Sequence, residues 1–364
     1  MGCCESSHNI TKPSFESLIK ISIEENSLSV IKHTLNSKTV SQSKQDFLTI
    51  LDSPIISIET LQLNAMGYCL LLGRYSIFEL FNKFGCSMQK MDELFFSQQF
   101  SALDIICYKG YSDILNYYLP YYVENYPEGK QNEKKMTIEM REDEYFFKQA
   151  EKLTPVQTLV KYGHIQGINV VYDYFMGKSE IPYEFDLSYR DEYGENSSLI
   201  ACRYGNYPMV KFLYKKCGCN FSALNKAKEN AIQIATGGSR IHPGLEYYQI
   251  IDFLISVAGI DVAYNYEETL LLAESNEIIS FIEEKLRERG IKAKKYELER
   301  QPCSDPERTP ESEMYFNRSQ SRFNLLAMYN EKLLEANDSI PSSIECGGES
   351  LGKFFGSSLS EFHK

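Results

Sequence analysis

The stretch from Asp191 to Ala235 carries one short pattern twice, and nothing else in the chain constrains its fold as strongly. The first copy has Asp191, Gly194, Asn196, Ala201, Gly205, Met209, Val210 and Leu213. The second restarts at Asn225 and has Asn230, Ala231, Ile232 and Ala235. Asp191 and Asn225 are 34 residues apart, and so are Asn196 and Asn230. A period in this range is the signature of a stacked array of small units, each too small to bury its apolar face alone.

The pattern has a local physical reading. Asp191 and Asn225 suit a turn, because their short side chains bond neighbouring backbone. Gly194 takes a positive φ without steric cost. Asn196 and Asn230 are N-caps for a following helix. Ala201 and Ala235 are small enough for another helix to approach. Gly205 falls where the first helix stops and reverses. Met209, Val210 and Leu213 then give a second helix one apolar face.

On these residues the sequence resembles the ankyrin repeat family. That family's unit reads D-x-x-G-x-T-P-L-H-x-A-A-x-x-G-H, followed by a second helix rich in I/V-V and L-L. The line DEYGENSSLIACRYGNYPMVKFL matches it at Asp191, Gly194, Ala201, Gly205, Val210 and Leu213. It departs at T-P-L-H, which here reads Asn196-Ser197-Ser198-Leu199, with Ser198 in the place of a core leucine. Thr154, Pro155, Val156, Gly163 and His164 match the T-P-L and G-H positions of another unit, and Pro155 suits a first helical position, where a backbone donor would be unpaired anyway. Further units are marked by Gly73 and Gly85, by Gly110, by Gln249–Asn265, and by a partial unit at Thr269–Leu286. The resemblance implies an all-α ankyrin-repeat α-solenoid of about six helix-turn-helix units with short hairpin loops, across residues 61–290.

Cap positions at 64, 101, 154, 196, 230 and 269 are unevenly spaced, and the extra residues belong to loops. The largest insertion, about 121–150, reads as a polar loop with a short helix resuming near Glu142. Thr236–Gly244 reads as a second loop without a phosphate-binding ending. Residues 13–60 read as an N-terminal helical cap or degenerate repeat, with Phe15, Leu18, Ile19 and Ile23 on one face. Residues 291–364 form a mostly disordered tail, charged at first and Ser/Gly-rich at the end. Within it 315–336 has helical spacing of Phe316, Phe323, Leu326, Tyr329 and Leu333, and reads as a docking helix or a helix without a partner.

The N-terminal segment 1–12 begins Met1-Gly2-Cys3-Cys4-Glu5-Ser6, which fits the M-G-x-x-x-[ST] myristoylation signal. Gly2 is the acceptor once Met1 is removed. One myristoyl chain binds membranes only marginally, and Cys3 and Cys4 supply the second signal as palmitoylation sites. This start is similar to the dual-acylation ends of Src-family kinases and G-protein α subunits. It predicts a lipid anchor on the cytoplasmic face of a membrane, the plasma membrane and the ciliary membrane being candidates.

Charge and composition exclude several classes. A net charge of −12 argues against a general nucleic-acid binder, so no nucleic-acid partner is expected. The ten cysteines show no disulfide or zinc spacing, and with no secretory signal in the sequence a reducing compartment is expected. Cys217-Gly218-Cys219 is a lone C-x-C with no second pair to complete a metal site. The histidines at 8, 33, 164, 242 and 363 lack ligand spacing, and His164 reads as a backbone-bonding turn residue. No catalytic residues, metal or cofactor are expected, and nucleophile-elbow, kinase and Walker signatures are absent.

What remains is binding. In the ankyrin family the hairpin tips and first helices line a groove for a protein partner. The pairs just before each inter-helix glycine face it: Tyr108-Lys109, Lys161-Tyr162 and Arg203-Tyr204. Tip residues Arg190 and Tyr193, with Glu192, extend the stripe, and Tyr and Arg are the residue types that dominate interface hot spots. The resemblance therefore implies a membrane-tethered scaffold or adaptor for an unidentified protein partner. A regulatory subunit of an enzyme, a degenerate enzyme and a membrane–cytoskeleton linker are the alternatives.

Overall fold

A helix start leaves its first N–H groups without partners, and this chain meets the need in the same way at the start of five successive first helices. The side chains of Asn64, Ser101, Thr154, Asn196 and Asn230 each accept from the backbone N–H three residues on, at 2.8–3.3 Å. Thr154 with Gln157 and Asn230 with Gln233 complete reciprocal capping boxes. A computed structural model describes residues 14–37, 43–58, 60–126, 136–141, 144–149, 153–242, 246–273 and 275–293. These all lie in the first of two units into which the chain divides, residues 1–300.

The described chain opens with α1 (Phe15–Glu24), α2 (Leu28–Leu35), α3 (Lys44–Asp52) and an antiparallel hairpin of β1 (Ile56–Ile58) and β2 (Leu61–Leu63), in which Ile56 pairs with Leu63. Helix pairs follow: α4 (Ala65–Leu71) with α5 (Tyr75–Phe84), then an extra helix α6 (Met88–Ser97), then α7 (Ala102–Lys109) with α8 (Ser112–Asn125). A second hairpin, β3 (Met136–Arg141) and β4 (Glu144–Gln149), comes next. The chain continues as α9 (Pro155–Lys161) with α10 (Ile165–Phe175), α11 (Ser197–Arg203) with α12 (Tyr207–Lys215), α13 (Ala231–Ile241) with α14 (Tyr247–Ser256), and α15 (Tyr266–Leu272) with α16 (Asn276–Glu288).

The first helices α4, α7, α9, α11, α13 and α15 pack in chain order into one row. Helices α2, α5, α8 and α10 pack in a second row, and α12 packs against α14. A first helix is therefore enclosed by neighbours on both sides and by second helices behind. All of α4, and Ser197–Cys202 of α11, are buried. A second helix buries one face, as α12 does with Met209, Val210, Phe212 and Leu213, and α16 with Ile278, Ile282 and Leu286. Each fully buried Leu or Ile contributes about 2 kcal/mol. In α6 the fully buried Asp92 accepts from the Tyr118 hydroxyl at 2.7 and 2.8 Å and from that of Tyr126 at 3.1 Å, which offsets its desolvation.

Four expectations change. The insertion has strands where a helix was expected near Glu142, in keeping with the period-two alternation of Met136, Ile138 and Met140 with Thr137, Glu139 and Arg141. The N-terminal region contains the β1–β2 hairpin besides its helices. The sixth first helix is preceded by Asn265, in the left-handed region at φ 47°, and not by Thr269. Thr269 lies inside α15, where its hydroxyl bonds Asn265 O at 3.1 Å. The cap spacing after Asn196 is thus 34 and then 35 residues. Finally, Thr236–Ile241 is helix, not loop: α13 runs through Gly237 and Gly238 to Ile241. Residues 1–12, including Gly2, Cys3 and Cys4, the segment 315–336 and nearly all of the tail lie outside the described residues.

Gly238 shows why packing overrides the low helix propensity of glycine. A Cβ there would overlap Arg203 O and come within 2.9 Å of the Tyr247 ring, whereas one at Gly237 would meet nothing within 4 Å. Gly238→Ala is therefore expected to destabilise the fold by about 2 kcal/mol. Gly237→Ala is expected to stabilise it by about 0.5–1 kcal/mol. Chemical denaturation midpoints of the two variants check both signs.

Candidate partner-binding face

After Gly73, Gly110 and Gly163 the next residue reaches back to the preceding unit. Arg74 Nη2 donates to Glu24 O at 3.0 Å, and the Tyr111 hydroxyl to Leu71 O at 3.3 Å. His164 Nε2 is 3.0 Å from Tyr108 O, and because a carbonyl only accepts, Nε2 carries the proton. In the next junction but one, the Tyr247 hydroxyl donates to Arg203 O at 2.7 Å. Leu71, Tyr108 and Arg203 each stand two residues before a left-handed glycine, at Gly73, Gly110 and Gly205. The His164 ring also occupies the space a Cβ at Gly110 would need. Glycine there provides both the turn and the room.

This junction brings the predicted tyrosines and lysines together. The Tyr108 and Tyr162 rings meet edge to face at 4.8 Å. Lys109 Nζ lies 5.6 Å from the Tyr108 centroid. Lys161 Nζ lies 5.5 Å from the Tyr162 centroid and 4.6 Å from that of Tyr204. His164 stacks on Tyr162 at 6.2 Å, and His242 on Tyr204 at 5.6 Å. Tyr108, Lys109, Lys161, Tyr162 and Tyr204 thus form one aromatic–cation ladder across three units, and all are half-buried. Each cation–π contact of this kind is worth about 0.5–1 kcal/mol. His242 is the member that spacing alone does not reveal, because α13 has to continue past its two glycines to carry it there.

The hairpin tip is built differently. Asp191 Oδ1 accepts from Tyr193 N at 2.9 Å and Glu195 N at 2.8 Å. Asn225 Oδ1 accepts from Glu229 N at 2.9 Å, so the turn recurs one period later. Arg190 Nη1 donates to Leu224 O at 2.7 Å and ties the two tips together. Tyr193 is 63% exposed. Tyr193, Arg203 and Tyr204 border one cavity of about 490 Å³, together with Leu153, Asp191 and Glu195. Arg203 does not offer a bare charge to it. Its Nε donates to Glu195 Oε2 at 2.8 Å, its Nη2 bonds Glu195 Oε1, and Glu229 Oε2 stands 3.9 Å away. Glu195 is buried and also accepts from Asn225 Nδ2 at 3.2 Å. Arg190 is likewise occupied by backbone carbonyls and is not part of the cavity wall. Glu195 is a member that the sequence reading missed, although Glu229 repeats it 34 residues on.

No helix among the described residues is long and apolar enough to cross a membrane. Among the described residues no three His, Cys, Asp or Glu side chains converge as metal ligands.

Burial holds His164 below the ordinary histidine value of 6.5. Burial, then the Lys161 charge, does the same for His242. Both rings therefore take up a proton less readily in the folded chain than in an unfolded one, which does so as pH falls through about 6.5. The stability they contribute is complete above that value and is lost as pH drops through their folded-state values. Stability is expected to decline between about pH 7 and 5 with a slope below about 1.4 kcal/mol per pH unit for each ring. His164→Gln, which keeps a donor for Tyr108 O, is expected to flatten that slope when denaturation is followed across this range.

The ankyrin repeat family model matches residues 193–223, from the exposed tip tyrosine through α11 and α12. No curated protein matches the chain. Among solved structures, the ankyrin repeat domain of Bcl-3, described as a unique member of the IkappaB protein family, is 16% identical. The match covers 74% of this chain and 99% of that one, with a TM-score of 0.44. An ankyrin repeat domain from Acinetobacter baumannii AYE is also 16% identical, covering 67% of this chain and 98% of that one at a TM-score of 0.39. The unit that holds Glu195, Arg203 and Tyr204 is thus similar in sequence to an ankyrin repeat, and it is set within a row of helix pairs.

Proposed function

We propose that this chain is a scaffold or adaptor that binds a protein partner along the ladder of Tyr108, Lys109, Lys161, Tyr162 and Tyr204. The observation that carries the reading is the alignment of these rings and ammonium groups across three successive units. Ankyrin repeats generally serve protein–protein interaction, and one is matched in the middle of this row. The lysines face aromatic rings, and the partner that suits them is an acidic, partly apolar segment. Tyr193 extends the surface towards the tips. Arg203 and Arg190 act from behind it, by holding the tip and the first helix in register.

The N-terminal Gly2, Cys3 and Cys4 would tether this array to the cytoplasmic face of a membrane through acyl chains. Anchoring raises the local concentration of whatever the array holds, so the proposed mechanism is avidity, with no chemistry done on the partner.

Two experiments test the two halves separately. Affinity capture with the full chain is expected to retain a partner that Tyr162→Ala/Tyr204→Ala loses by about tenfold or more. Circular dichroism and denaturation confirm that the double variant is folded. Equal capture by a folded double variant would remove the ladder from the interface. For the anchor, Gly2→Ala is expected to abolish acyl labelling and move the protein from the membrane to the soluble fraction. Unchanged membrane association would sink the tether and leave the ladder standing.

A further inference from the structure

We propose that the cavity between α10 and α12 binds a small, neutral aromatic molecule carrying one hydroxyl group, whose oxygen bonds the Ser198 hydroxyl. The cavity holds about 460 Å³, within the size range of small-ligand sites. Two departures from the repeat pattern border it. The caps Thr154 and Asn196 are 42 residues apart, against 34 for Asn196 and Asn230. The added chain between α10 and the tip supplies part of the wall with Met176, Ile181, Phe185 and Leu187. Ser198 stands in a first helix where the repeat pattern has a leucine, and its short side chain is another part of the wall.

The chemistry of the wall sets the class of ligand. Phe175 and Phe185 are buried there, with ring centroids 5.3 Å apart. Met176 is 67% and Ile181 46% exposed, so the apolar surface continues to the rim. An aromatic body covers both, and ring-on-ring contact adds to the area it buries. The charged groups in the wall are Lys178 and Asp186, one of each sign. Lys178 Nζ lies 3.4 Å from the Tyr174 centroid and 5.3 Å from that of Phe175. Asp186 Oδ1 accepts from Ser188 N at 2.8 Å and from Ser188 Oγ at 2.7 Å. The two charges balance, so a ligand with a net charge finds no excess of the opposite sign to offset its desolvation.

The ligand hydroxyl answers a particular vacancy in the hydrogen bonding. Asn196 and Asn220 commit their amide oxygens to Leu199 N at 3.1 Å and Ser222 N at 2.8 Å. The Ser198 hydroxyl is buried and has no hydrogen-bond partner. An unpaired buried hydroxyl is unfavourable, and a hydroxyl arriving from the cavity side relieves it by donating or accepting. A leucine at this position would fill the space, whereas serine keeps it open and leaves one polar group to be paired. None of the ladder residues lines this cavity, so the site stands or falls independently of the partner-binding reading.

The test is a fluorescence titration of the full chain with naphthol, whose emission is readable because the chain has no tryptophan. Saturable binding of one naphthol per chain is expected, with a higher unfolding temperature in its presence. Naphthalene, which has the same rings and no hydroxyl, is expected to displace naphthol but to bind about tenfold more weakly. Ser198→Ala is expected to remove that difference by bringing naphthol down to the affinity of naphthalene. Ser198→Leu, shown to be folded by circular dichroism, is expected to bind neither. The proposal is overturned if naphthol binding does not saturate within its solubility, or if naphthalene matches naphthol on the unaltered chain. It is also overturned if Ser198→Ala, or a folded Ser198→Leu, binds naphthol as tightly as the unaltered chain does. If Ser198→Leu does not fold, Ser198→Ala decides the matter alone.

Discussion

Three junctions between successive units share one small contact: a side chain just past a left-handed glycine, at Gly73, Gly110 and Gly163, bonded to a carbonyl of the unit before. At Gly110 the His164 ring occupies the space a Cβ would take and bonds Tyr108 O. The contact ties the two neighbouring units together at this point. Once the units are tied, the residues two and one positions before each glycine come into reach of their counterparts. The Tyr108–Tyr162 and Lys161–Tyr204 contacts are consequences of it. A stacked array has no central core to hold it, so such nearest-neighbour terms carry its cohesion.

Charge is arranged around this framework in two ways. Glu195 lies buried against Arg203, Asn225 and the turn, where its carboxylate satisfies a guanidinium and an amide together. Removing one partner of such a pair leaves the other unpaired in low dielectric, so the pair commits the unit to one geometry. The ladder lysines instead lie over rings at the surface, where a cation keeps its hydration and still gains from the aromatic face. An acidic molecule can in this way present a local cationic and aromatic surface.

The sequence made the repeats legible where a few neighbouring residues decide the outcome. Asn196 and Asn230 cap helices because an amide oxygen and an N–H three residues on need nothing else. Asp191 and Asn225 close the same turn, and the glycine of the first copy is matched by Lys228, which adopts φ 66° in the second. The ladder was legible from position alone, through the three residue pairs before the glycines. What position could not reveal was occupancy. Arg203 has the right spacing and type, yet its guanidinium is held by a glutamate eight residues upstream.

The chain by itself determined the helix starts, the reversals and the period, because each rests on hydrogen bonds that span three to five residues. Tertiary structure alone decided that α13 runs on through Gly237 and Gly238, since only the nearness of Arg203 O and Tyr247 makes a missing side chain useful. It also decided that Asn265 and not Thr269 precedes the sixth first helix. These outcomes depend on contacts between residues far apart in the chain, whose energies no local pattern encodes.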